Sequence, residues 1–315
     1  MKTPKTLAGI LLASVALLAP PMTVRAAMKV VATTPDLGTI ASTIGGDLVH
    51  VDSLAKTTED VHFVDPKPSY VVKLAHADML IEGGAELEVG WLPPLLEGAR
   101  NAKLDAGQPG RVACAEGLPL LEVPSARDRA KGDIHALGNP HFMVDPENGR
   151  HAAQRICAAL CEIDPTHKQA YEERYQSFTN RLDQRLVVWR QTLAPFVGRR
   201  MVSFHNAWPY FARSFGLKID LFLEPKPGIP PTPAHLEEVV NHMKAERIGV
   251  ILVEPFQNRK TAETIAGRTG AVLVDFTQYP GGVKGSGPGY IELMDYLVET
   301  LAKALHNGTA GETKP

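Results

Sequence analysis

The chain has 315 residues, 44% of them hydrophobic and 22% charged, which is the balance of an ordinary globular protein with material for about two domains. That composition excludes a largely disordered chain, a collagen and a polytopic membrane protein. A formal net charge of −2 leaves no basic excess to point to nucleic acid, and three cysteines are too few for a disulfide scaffold.

Residues 1–26 read as a cleaved secretory leader. Lys2 and Lys5 precede the apolar run Leu7–Ala19, and Val24-Arg25-Ala26 offers a small-x-small cleavage pattern. Pro20-Pro21 stop the run well short of the roughly 20 residues that span a bilayer. No cysteine lies near the cleavage point to carry a lipid, so a periplasmic location is expected. Loss of the leader's three basic residues takes the mature chain to −5.

Short apolar runs then alternate with helical patterns. The β-rich run from Met28 to Thr33 is followed by a helix over 37–44, a strand over 49–53 and a helix after Pro68-Ser69, with Ser69 as its expected N-cap. A buried strand, Met79–Ile81, and a helix over 91–99 complete this βαβα rhythm, which argues for a parallel sheet covered on both faces. A second set begins at Arg200. It has strands at 201–204, 248–253 and 271–276, and helices at 208–215, 233–244 (Thr232 as N-cap), 261–269 and 290–305. Between the sets, no Pro or Gly falls from Pro165 to Pro195, while Tyr171, Tyr175, Phe178, Leu182, Leu186 and Trp189 recur at spacings of three or four. A single helix of about 30 residues, roughly 45 Å long, fits this pattern better than a hairpin. The fold expected is α/β: two parallel-sheet lobes, 27–147 and 199–315, joined through a helical linker, 148–198, by one long rigid helix.

Eleven histidines invite a search for a metal site. Most lie at ordinary surface positions, and His135 falls in a polar segment that reads as mobile. Three differ: His62, His141 and His205 each stand where a strand or loop hands over to a helix. That is the edge of an open α/β sheet at which ligands bind. Neutral imidazole is a common metal ligand that suits zinc. Glu254 and Asp275 close neighbouring strands, and either carboxylate would complete a tetrahedron. Glu254, followed by Pro255, reads equally as an outer partner to a ligand.

Several stretches, in this order, carry a family resemblance: Val31-Ala-Thr-Thr-Pro-Asp-Leu37; His62 with Pro66-Lys-Pro-Ser69; Ala77 to Glu88 with Trp91; His141-Phe-Met-Val-Asp-Pro146; His205-Asn-Ala-Trp-Pro-Tyr-Phe211; and Ile251-Leu-Val-Glu-Pro255 through Asp275. Together they resemble the zinc and manganese solute-binding proteins of bacterial ABC importers. The resemblance implies two α/β lobes on a rigid helix with the metal held between them. It implies His62, His141, His205 and Asp275 as ligands and Glu254 as an alternate or supporting group. The third histidine, where manganese receptors tend to carry Glu, favours Zn(2+) over Mn(2+). An ABC-type membrane permease is the implied partner, with a periplasmic metallochaperone as a further one, and the protein is expected to be a monomer without enzymatic activity. A manganese or metal-chelate receptor is the first alternative. A secreted zinc hydrolase using Glu254 as general base is the second. Two features depart from the family pattern: the segment 124–139 is short and holds only His135, and residues 281–289 form a Gly-rich loop that in other settings cradles an anion. Cys157 and Cys161 share a helix face, and the sequence leaves open whether Cys114 pairs with either.

Overall fold

The computed structural model describes residues 26–124 and 135–309, so the leader expected over 1–26 lies, but for its last residue, outside the described residues. Two four-stranded parallel sheets are built in the same way. The first comprises β1 (Met28–Ala32), β2 (Val49–Ser53), β3 (Met79–Glu82) and β4 (Arg111–Ala113), in the order β2-β1-β3-β4. The second comprises β5 (Arg200–Ser203), β6 (Lys218–Phe222), β7 (Val250–Val253) and β8 (Val272–Asp275), in the order β6-β5-β7-β8. In each sheet the chain runs outward to one edge and then returns past its first strand. Loops therefore diverge at the carboxyl ends of β1/β3 and β5/β7, which makes those ends the natural floor of a ligand cleft.

Helices cover both faces of each sheet. The N-terminal lobe carries α1 (Pro35–Gly45), α2 (Pro68–Ala75) and α3 (Leu92–Ala99). Here Pro68 occupies the first turn and Lys67 the cap, two residues ahead of the cap expected at Ser69, because a proline's fixed φ suits the first helical position. The C-terminal lobe carries α6 (Pro209–Phe215), α7 (Pro233–Ala245), α8 (Arg259–Thr269) and α9 (Tyr290–Thr309). Thr232 caps α7 as the sequence predicts, its hydroxyl accepting from the His235 amide.

Between the lobes run α4 (Pro146–Ile163) and the spine α5 (Lys168–Leu193), 26 residues and about 39 Å long. It is shorter than the proline-to-proline interval because Pro165–His167 and Ala194–Phe196 are single 3₁₀ turns. Tyr171, Phe178, Leu182, Leu186, Trp189 and Leu193 form its buried face, packed on α1, α4 and α9. The Trp189 indole donates to Asp295 at 2.7 Å, pinning α9 to the spine.

One apolar cluster runs through both lobes. It joins Val30, Ala32 and Ile81 of the first sheet to α4, the spine, Trp208, Phe276 and α9. Two further clusters lie on the far sides of the sheets, one under α2 and α3 and one under α7 and α8. After β8 the chain crosses back to the other lobe. Phe276 stays in the shared core, whereas Tyr279 is buried among Val31, Leu54, Leu87 and Trp91 of the N-terminal lobe. Three residues on, a Cβ at Gly282 would sit 2.6 Å from the Thr57 carbonyl. Glycine is needed there for close backbone approach to the opposite lobe, which gives the Gly-rich stretch a packing role.

Candidate metal centre

The three handover histidines are brought together by local devices the sequence supplies. His62 sits in the tight turn Val61–Phe63 between β2 and α2. Asp60 caps that turn by accepting from the His62 amide at 3.0 Å, and the Trp91 indole donates to the Val61 carbonyl at 2.7 Å. His141 is set by Asn139, whose side-chain oxygen accepts from the His141 amide at 3.0 Å; the Tyr210 hydroxyl from the other lobe donates to the Asn139 carbonyl at 2.7 Å. His205 leaves the end of β5, where the Ser203 hydroxyl donates to its carbonyl at 2.7 Å.

Their Nε2 atoms converge. His62 to His141 and His141 to His205 are each 3.2 Å, and among the described residues these three offer ligand atoms that all lie within 4.8 Å of one another. Tetrahedral zinc with nitrogens at its usual bond length holds them about 3.3–3.4 Å apart. The other ring nitrogens are taken. Nδ1 of His205 faces a Glu224 carboxylate oxygen at 2.7 Å, and Nδ1 of His141 faces the Gln278 amide oxygen at 2.9 Å. The Gln278 orientation follows from its far end, where the amide nitrogen donates to Glu254 at 2.9 Å. Glu254 in turn accepts from the Gln257 side chain at 3.0 Å. The Leu87 carbonyl accepts from His62. With acceptors on those sides, the protons sit there and the three Nε2 lone pairs face one another with no hydrogen between them. Such a donor set calls for a cation.

The electrostatics agree. Burial, then the neighbouring imidazoles, push His62 down to about 3 and lower His141 well below the ordinary histidine value, so both are neutral at working pH. Burial acts the same way on His205, but the Glu224 carboxylate outweighs it and His205 stands above the ordinary value. Glu254 is itself pushed up to about 7 by burial, against the pull of Gln278 and His205.

Asp275 is not brought to this cluster. Its carboxylate pairs with Arg259 at the start of α8 and is about half exposed. Strand alternation is the reason. Val274 and Phe276 point into the shared core, so residues 273 and 275 point the other way, toward the α8 side. The residue that reaches the site from this strand is Gln278, three positions on, which sequence reasoning passed over because a neutral amide carries no ligand signal. Glu254 stands behind Gln278, two hydrogen bonds from His141. Glu224 was also missed; it follows β6 by two residues, a strand end left out of the search. His135, expected to be mobile, stacks on His62 with ring centroids 5.0 Å apart. The three cysteines are free thiols: Cys114 is fully buried, while Cys157 and Cys161 hydrogen-bond to each other on α4.

Known proteins share this architecture. Residues 30–304 match the model of the family described as ZnuA, the periplasmic component A of the zinc-uptake complex. The iron-binding protein YfeA of Yersinia pestis is 29% identical over 283 residues, which cover 87% of this chain and 85% of that protein. The manganese ABC transporter substrate-binding lipoprotein PsaA of Streptococcus pneumoniae is 24% identical over 88% of this chain and 89% of its own length. The crystal structure of ZnuA superposes with a TM-score of 0.76 at 25% identity, covering 88% of this chain and 99% of that one. The chain therefore belongs to the family of the periplasmic component A of zinc-uptake complexes, metal-binding proteins that serve ABC importers and are not enzymes.

Proposed function

We propose that this protein captures zinc outside the cytoplasm, in the cleft between its lobes, and passes it as a monomer to an ABC-type membrane importer. The observation that carries the choice of metal is the donor set. It is three imidazole nitrogens, with an amide, Gln278, rather than a carboxylate set against His141. Manganese favours carboxylate, carbonyl and water oxygens, whereas imidazole suits zinc. Relatives named for iron and manganese show that the fold itself does not choose. Glu224 and Glu254, each behind a histidine, balance the charge of a divalent ion without binding it. The relatives named as ABC transporter substrate-binding proteins support a separate membrane permease as the receiver of the cargo. The test is competition on the purified, chelator-stripped protein. Zinc is expected to bind at one ion per chain and to resist a large excess of manganese. Displacement of zinc by manganese at comparable concentrations would refute the assignment.

A further inference from the structure

The loops that carry His141 and His205 belong to different lobes, and polar side chains tie them to each other away from the imidazoles. Asn139, two residues before His141, is the buried node. Its side-chain oxygen accepts from the His141 amide at 3.0 Å, and its side-chain nitrogen donates to the Asn206 carbonyl of the other lobe at 2.9 Å. Asn206 directly follows His205. A third residue gathers both amides. One carboxylate oxygen of Glu122, Oε2, accepts from the Asn139 side-chain nitrogen at 2.9 Å and from the Asn206 side-chain nitrogen at 2.8 Å. An ionised acceptor makes each of these bonds stronger than a neutral one would.

The backbone delivers Glu122 to this place at a cost. On its N-terminal side, the Leu121 amide donates to the Tyr210 hydroxyl at 2.9 Å, and the Leu121 carbonyl accepts from the Asn139 amide at 2.8 Å. Glu122 itself has a φ of +55°, in the left-handed region that favours glycine. It stands exposed on the cleft wall, so its side chain gains little from burial. A long charged side chain is thus held in a conformation that glycine would adopt without strain, and the hydrogen bonds it makes there run to the two residues that flank the metal ligands. Strain of this kind persists where a position serves a function.

We infer that Glu122 is a positioning residue for the metal centre. It clamps the His141 loop to the His205 loop, so the two ligands part, and the ion escapes, only when both bonds to its carboxylate open. This inference rests on the zinc reading above and concerns how the site retains its cargo.

The experiment loads the mature protein with zinc, mixes it rapidly with an excess of chelator and follows zinc release. Glu122→Gly is expected to release zinc about tenfold faster. Its metal-free melting temperature should stay unchanged, because glycine relieves the left-handed backbone; a merely structural role would lower it. Glu122→Gln, which keeps an acceptor for both amides, should restore most of the slow release. Asn206→Ala should speed release by a similar factor, and the double variant with Glu122→Gly should be no faster than either single one, since both remove the same link. Unchanged release from Glu122→Gly, no rescue by Glu122→Gln, or additive effects in the double variant would each overturn the clamp and leave the zinc assignment standing. A wild-type chain that holds no zinc would overturn both.

Discussion

At the scale of single residues, the centre divides its labour between histidines that are kept neutral and one that is not. Protons compete with metal only where a ligand is protonated in the metal-free protein. His62, held near 3, and His141, lowered by burial, contribute no proton in the ordinary range, while His205, raised by Glu224, does. As pH falls through the His205 value, zinc affinity should therefore drop about tenfold per pH unit, the signature of one displaced proton. Chelator competition between pH 7.5 and 5 checks this, and a slope of three protons would show that burial does not hold His62 and His141 neutral. The carboxylates give a second test. Glu254→Ala removes the group that orients Gln278 and, through it, His141, and should weaken zinc about 10- to 100-fold. Asp275→Ala breaks only a half-exposed pair with Arg259 and should leave affinity unchanged. Calorimetric titration of both variants separates them, and a greater loss in Asp275→Ala would return that residue to the metal. The three histidines were legible in the sequence because each follows a strand or loop at a handover to a helix. The supporting groups were not. Which side of β8 faces the cleft is decided by packing in three dimensions, and period-two alternation alone does not label the faces. The one available clue was that Val272, Val274 and Phe276 form the more apolar set, which turns Asp275 away from the core.

Among the elements, the crossing segment after β8 is the least predictable from sequence and the most consequential. Its glycines read as a loop of the kind that can cradle an anion; the structure lays backbone against Thr57 at Gly282 and seats Tyr279 in the opposite lobe's core. Gln278 is the residue immediately before that anchor, so the orientation of His141 depends on it. Tyr279→Ala should cost about 3–5 kcal/mol, as large-to-small aromatic changes in cores do, and should weaken zinc binding although Tyr279 touches no ligand atom. Tyr279→Phe, which keeps the packing, should retain both. Thermal melts with and without zinc on the two variants check this, and full affinity in Tyr279→Ala would mean that Gln278 is positioned by Glu254 alone. The spine, by contrast, was legible throughout its length. Its pattern of large apolar residues at three- and four-residue spacing is the face now buried on α1, α4 and α9, and its ends differ only because prolines tighten the last turns into 3₁₀ geometry.

On the scale of the whole molecule, the two sheets repeat one strand order; two successive βαβ rhythms were readable, but the edge strands β4 and β6 were not among the strands expected. The sequence pattern did not show that the lobes share a core, since apolar periodicity marks which residues are buried but not against what. A single cluster from Val30 to Leu305 implies one cooperative unit. Scanning calorimetry should show one transition in the metal-free protein. Zinc should move it upward without splitting it, by about 2.7 kcal/mol at a hundredfold excess over Kd. Two resolved transitions would contradict the shared core. The same cluster bears on how the family's metal preferences can be engineered. Exchanging one sheet-bearing half with that of an iron or manganese relative, a natural design for a molecule with such evident two-fold repetition, would set a foreign surface against α5 and α9 and leave Tyr279 without the cavity it fills. A graft that works must therefore carry the spine, the final helix and the crossing segment with the transplanted half, so the smallest exchangeable unit is larger than the lobe.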